Sequence, residues 1–227
     1  MLVMKAWLET RWRLASLFAY CFIVMALNYQ NRNPSPGKVQ IVLLLLWIVL
    51  SSFVMTLAGA GVKSQAPVGF PEGLAESTQF TLSLPVTRLR LLAVPTAVGL
   101  LETAAATVII GCMTWGMFPA VRAGTTLADF ARIALTTLLW LTLPYCTALF
   151  FVTLLAEPLS FMCAGWMLTL LVWLLHHTAP AVAILRAFSQ ASPLITHKMP
   201  WPQMATCAGL AVILFLAAVR VVQTREY

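Results

Sequence analysis

Long apolar runs dominate this chain and leave it few folds to choose from. The stretches from Val39 to Val62 and from Leu91 to Phe118 are each long enough to cross a bilayer's ~30 Å hydrocarbon core, which takes ~20 apolar residues as a helix. With no water in that core, backbone N–H and C=O groups must be satisfied within the segment, so repeated runs of this kind point to a helix bundle. Of the 227 residues, 61% are hydrophobic and 9% charged. Soluble domains carry about 25% charged residues, and no stretch here is polar and long enough to fold as one. The expected fold class is all-α, a polytopic membrane protein with residues 1–227 as a single transmembrane domain.

Six spans are expected, at roughly 14–29, 39–62, 89–117, 131–155, 159–176 and 203–222. Ahead of them, Lys5, Glu9 and Arg13 recur every four residues and make one charged stripe, with Trp7 and Trp12 among the apolar residues beside it. That pattern reads as an interfacial helix over residues 1–13 rather than a plain basic flank. No small-x-small cleavage site follows, so the first apolar run is kept as an uncleaved span.

The net charge of +7 is spread as single basic residues between apolar runs, which argues for loop and interface charges and against nucleic acid. Six spans put both termini on one side. With that side cytoplasmic, Lys5, Arg11, Arg13, Lys63, Arg88, Arg90, Arg220 and Arg225 lie inside, and Arg32, Lys38, Arg122, Arg132, Arg186 and Lys198 outside. The expected location is the inner (plasma) membrane, with both termini in the cytoplasm.

Prolines punctuate the helices. Pro144 is expected to kink span four, with Thr142 near the freed carbonyl, and Pro158 to break the chain between spans four and five. Residues 177–202 are too apolar for a plain loop and too rich in proline to span. Ala181, Ile184, Leu185 and Phe188 repeat at helical spacing, which predicts a short interfacial or re-entrant helix on the outer side.

The sequence offers little for catalysis. "GAGVKS", Gly59 to Ser64, lacks the spacing of a phosphate-binding loop. There is no GxSxG, no HExxH and no acidic pair within one span, so an intramembrane enzyme using Glu102 and the histidines ranks last. His176 and His177 are adjacent and diverge by about 100° on a helix, which suits an outer interface better than one metal. Cys21, Cys112, Cys146, Cys163 and Cys207 each fall inside a span and read as small buried residues, neither disulfide nor metal ligands.

Glu102 is the one ionisable residue well inside a span. It reads either as a polar spot on a translocation path or subunit interface, or as a protonated acid bonded to a neighbouring threonine or backbone group. The small residues Thr103 to Thr107 and Gly111 permit tight helix contact around it, so span three is expected to be an interior helix.

The polar insert "FPEGLAESTQFTLSLPVTRLRLL", Phe70 to Leu92, interrupts the apolar pattern. Pro71 and Gly73 break the chain after span two, Ala75 to Leu84 can form about two helical turns, and Pro85 ends them. Thr87 can cap span three. Leu74, Phe80, Leu82 and Leu84 give the short helix an oily side that can rest on the bundle.

Through Glu76, Thr81, Leu82, Leu84, Pro85, Val86, Thr87 and Arg88, this segment resembles the signature of the permease subunits of type-2 ABC exporters. Thr87 stands where that family usually has serine, and the gap before Pro85 is shorter. The resemblance implies that residues 70–88 form a cytoplasmic coupling helix. Glu76, Gln79, Phe80, Thr81, Leu82, Leu84, Pro85 and Arg88 would then meet a separate ABC ATPase subunit. It further implies ATP and Mg on that partner, none in this chain, and a homodimer or a sister permease in the membrane. The apolar path is compatible with lipids, peptides, amphipathic molecules and polar cargo alike. A non-transport assembly or sensory subunit docking a cytoplasmic partner is the alternative reading.

Overall fold

The computed structural model describes residues 11–12, 14–23, 50–56, 88–117, 126–155, 159–188 and 193–224. Helix α1 is Leu14–Ile23 and α2 covers 50–56. Then come α3 (Arg88–Met117), α4 (Leu127–Leu154), α5 (Leu159–Thr178), a 3-10 helix (Ile184–Phe188), the single turn α6 (Pro193–Thr196) and α7 (Trp201–Thr224). There is no strand among the described residues.

Among the described residues, four helices are long and apolar enough to cross a membrane: Leu92–Gly116, Leu127–Leu154, Leu159–Thr178 and Trp201–Thr224. They correspond to the third to sixth expected spans. The first two are described only over α1 and α2, so the end of the first, most of the second, residues 1–10 and the insert up to residue 87 lie outside the described residues.

Each boundary has a local cause. Helix α4 opens at a capping box: the Thr126 hydroxyl accepts from the Asp129 N–H at 3.2 Å, and the Asp129 carboxylate accepts from the Thr126 N–H at 3.2 Å. This Thr-x-x-Asp signal sets the start at Leu127, four residues ahead of the expected 131. At the other end Leu155 turns to extended backbone while its N–H still reaches the Phe151 carbonyl at 2.8 Å. Helix α5 then starts at Leu159, directly after Pro158, as the proline punctuation predicts.

The central helix is α4, not α3. In its most apolar window 67% of residues are buried, against 44% for α3, 22% for α7 and 11% for α5. Leu141, Leu143, Tyr145, Ala148, Leu149 and Val152 are almost fully enclosed. The small residues of α3 do provide a contact face, but only on one side: Thr103, Ala106 and Thr107 are buried while Ala105 is exposed. Helix α7 packs through Met204, Cys207, Ala211, Leu214 and Ala218, a buried seam with alternating spacings of three and four. The small Cys and Ala positions let two backbones approach where no hydrophobic drive exists between helix and lipid. The Trp140 Nε1–H donates to the Ser51 hydroxyl at 3.1 Å and ties α2 to the core.

Two glycines mark how closely α3 meets α4. A Cβ on Gly99 would come within 2.9 Å of the Tyr145 ring carbons, and one on Gly111 within 2.9 Å of the Phe130 ring. Around Gly209 on α7 there is open space. Gly99→Ala is therefore expected to destabilise the bundle by about 1–3 kcal/mol through overpacking against the enclosed Tyr145. Gly209→Ala should be neutral or stabilising by up to about 1 kcal/mol from helix propensity. Thermal unfolding in detergent measures both, and equal behaviour of the two variants would contradict this packing.

Candidate functional site

Two groups of buried polar residues stand out among the described residues. The first is a seam between α3 and α4. On α3, Thr96, Glu102, Thr103 and Thr107 are buried; on α4, so are Tyr145 and Thr147. Most of the hydroxyls turn back on their own helix. Thr96 donates to the Leu92 carbonyl at 2.7 Å, Thr103 to Gly99 and Thr107 to Thr103 at 2.8 Å, and Thr147 to Leu143 at 2.8 Å. Such i to i−4 bonds let threonine sit in an apolar interior without a stranded donor. Thr142 also turns back on its helix, donating to the Leu139 carbonyl three residues before it at 2.6 Å.

Glu102 is 6% exposed and stands ten residues into the span that starts at Leu92, about 15 Å along a helix of about 37 Å. That is close to the middle of the membrane, where carboxyl groups are rare and face a bundle interior or a cavity. The Tyr145 phenol across the seam is within electrostatic reach of it and points its hydroxyl at the Thr96 carbonyl, 3.5 Å away. The seam thus holds a carboxyl and a phenol between two helices that each contain a buried proline, Pro95 and Pro144.

The second place is the opposite end of α4 from its junction with α5. Asp129, the only aspartate in the chain, is buried in the first turn and receives four groups. The Thr126 hydroxyl donates to its Oδ2 at 2.7 Å and the Thr126 N–H at 3.2 Å. Arg132 Nη1 donates to Oδ1 at 2.9 Å, and His197 Nδ1 lies 3.1 Å from Oδ2. The same Arg132 Nη1 donates to the His197 carbonyl at 2.8 Å. His197 takes φ 51°, the left-handed region that side chains with a Cβ seldom adopt. Close by, Gln203 Nε2 donates to the Ala181 carbonyl at 3.0 Å. Thr136, Trp140, Ile184, Ala187, Gln203 and Cys207 line a small cleft nearby.

Several expected residues land differently. Among the described residues, segment 179–200 is helical as a 3-10 turn and one α-turn; the 3-10 period of three directs Ile184 and Ala187 inward, and Ala183 just before it is buried as well. Leu185, expected on the packed face, is exposed, and so is Ala181. Cys112 is exposed and Cys163 half-buried, so only Cys21, Cys146 and Cys207 fit the reading as buried residues. His176 and His177 are exposed at the end of α5; His177 stacks on Trp173 at 4.6 Å and its Nδ1 is 2.9 Å from the Trp173 carbonyl. No cluster of three or more potential metal ligands occurs among the described residues. Glu76, Gln79, Phe80, Thr81, Leu82, Leu84 and Pro85 lie outside the described residues, and Arg88 opens α3.

Asp129, Tyr145 and Gln203 were not singled out from the sequence, and Arg132 was read only as an outside basic residue. For Asp129 a signal existed, the Thr126-x-x-Asp129 spacing; for the long-range partners none did. Comparison with protein-family models, curated proteins and solved structures finds no match to this chain.

The long Tyr145 hydroxyl contact implies that the ring matters more than the oxygen. Tyr145→Phe is expected to cost less than about 1 kcal/mol of stability, and Tyr145→Ala about 3–5 kcal/mol, as measured by thermal unfolding. Equal losses in the two variants would shift the weight to the hydroxyl.

Proposed function

We propose that this chain is the permease subunit of an ATP-driven export system similar to the type-2 ABC exporters. It contributes to the translocation path and couples to separate cytoplasmic ATPase subunits through residues 70–88. The observation that carries the reading is continuity. The motif that runs from Glu76 ends at Arg88, Arg88 is the first residue of α3, and α3 brings the mid-membrane Glu102 against α4. A push delivered at the insert has a rigid helix to travel along, and helices joined by a packed seam shift between discrete arrangements rather than bending continuously. ATP and Mg would be bound by the partner, and a second copy or a sister permease would complete the path. In this arrangement the insert faces the cytoplasm of a plasma-membrane protein, and segment 179–200 lies at the outer mouth.

The test is purification from the native membrane with identification of bound chains, followed by vesicle transport. A Walker-containing ATPase is the expected partner. Leu82→Asp, which places a charge on the oily side of the insert, is expected to abolish ATPase coupling while the spans still insert. Glu102→Gln is expected to keep ATPase binding and to change the pH dependence of transport, since it removes only the ionisable group. A stable partner without ATPase motifs would replace this reading with a membrane assembly or sensory subunit.

A further inference from the structure

We infer that α3 is a body separable from the one formed by α4 and α7, seated on it by two aromatic rings in glycine notches. This goes beyond the transport reading and holds or fails independently of it, because it concerns the bundle alone and needs no ATPase.

The hydroxyls of the seam between α3 and α4 leave the two helices unlinked. Thr96, Thr103 and Thr107 on α3 and Thr147 on α4 are buried, yet each donates to a carbonyl of its own helix, at Leu92, Gly99, Thr103 and Leu143. Moving one helix against the other breaks none of these four bonds. The Tyr145 hydroxyl does point across the seam at the Thr96 carbonyl, but at 3.5 Å, beyond the distance of a strong hydrogen bond.

Shape sets the register instead. The Tyr145 ring fills the space that a Cβ on Gly99 would need, and the Phe130 ring does the same at Gly111. The two glycines lie twelve positions apart (111 − 99), about 18 Å along α3, so together the seats fix its height and its rotation. A ring leaves such a notch by lifting out of it, and close-packed contacts of this kind have discrete arrangements. Helix α3 also touches α7, less extensively than it touches α4.

Helices α4 and α7 are joined by stronger means. Arg132 Nη1 donates both to Asp129 Oδ1 at 2.9 Å and to the His197 carbonyl at 2.8 Å, and His197 stands just before α7 begins at Trp201. The guanidinium keeps its charge, so this bridge is charge-assisted throughout. Next along the pair, the Thr136 hydroxyl lies 3.9 Å from Met204 Sδ, and Cys207, Ala211, Leu214 and Ala218 continue the buried seam. Parting α4 from α7 breaks the bridge and opens that seam, whereas shifting α3 unseats two rings. A load applied at the Arg88 end of α3 therefore moves α3 against a fixed α4 and α7.

Pulsed electron paramagnetic resonance on the full chain in lipid nanodiscs tests this. Spin labels on noncanonical amino acids leave the five cysteines native, and the exposed residues Leu101 on α3, Leu135 on α4 and Ile213 on α7 take them in pairs. Gly99→Ala pushes the Tyr145 ring out of its seat, and Tyr145→Leu removes the ring. Each is expected to broaden the α3–α4 distance distribution about two-fold and to leave the α4–α7 distribution as in the wild type, which also shows that the variant is folded. Tyr145→Phe keeps the ring without its hydroxyl and is expected to change neither distribution. Equal broadening of both distances, no broadening between α3 and α4 in either ring-seat variant, or a Tyr145→Phe effect as large as that of Gly99→Ala overturns the two-body arrangement.

Discussion

The bundle depends on satisfying polar groups where water is absent. A membrane helix cannot leave a donor or carbonyl unmet in hydrocarbon, yet α3 and α4 bury threonines, two prolines, a glutamic acid and a tyrosine along one shared seam. The threonines resolve their share locally by donating to the previous turn. At mid-membrane the Tyr145 ring is enclosed because Gly99 lets it lie against the α3 backbone, and Glu102 is buried about one turn further along α3. Packing, polar satisfaction and the one mid-membrane acid therefore meet at the same few residues.

The two ends of α4 are built differently. Its start is locked by the Thr126 and Asp129 box, and the same carboxylate is shared with Arg132 and His197. Its other end stops in extended backbone at Leu155, ahead of Pro158. Around this axis α7 docks by a seam of small and medium residues. Helix α5 is peripheral and leaves Trp166, Leu170 and Trp173 on the surface.

Much of the architecture was legible in the sequence because the bilayer reduces the problem to hydropathy and length. Spans three to six appear within a few residues of their expected bounds, and Pro158 marked a true break. The interior position of α4 was harder to read, since α4 and α5 are alike in mean hydropathy and only packing tells a central helix from a lipid-facing one. The outer segment's facing was misread because a period of 3.6 was applied to a 3-10 turn. The Asp129 cluster joins residues 68 positions apart in sequence, and no local pattern announces such a pairing. Glu102 was legible as an intramembrane acid; its neighbour Tyr145 was not, because an aromatic in a span ordinarily signals packing.

In the proposed arrangement, work enters the membrane at residues 70–88 and travels along α3. A photo-crosslinking amino acid at Gln79 tests it most directly, in native membranes under ATP-free and ATP-hydrolysing conditions. The account predicts an adduct with a Walker-containing ATPase whose yield changes with nucleotide state. Adducts with lipid alone, or with an ATPase-free partner irrespective of nucleotide, would contradict it.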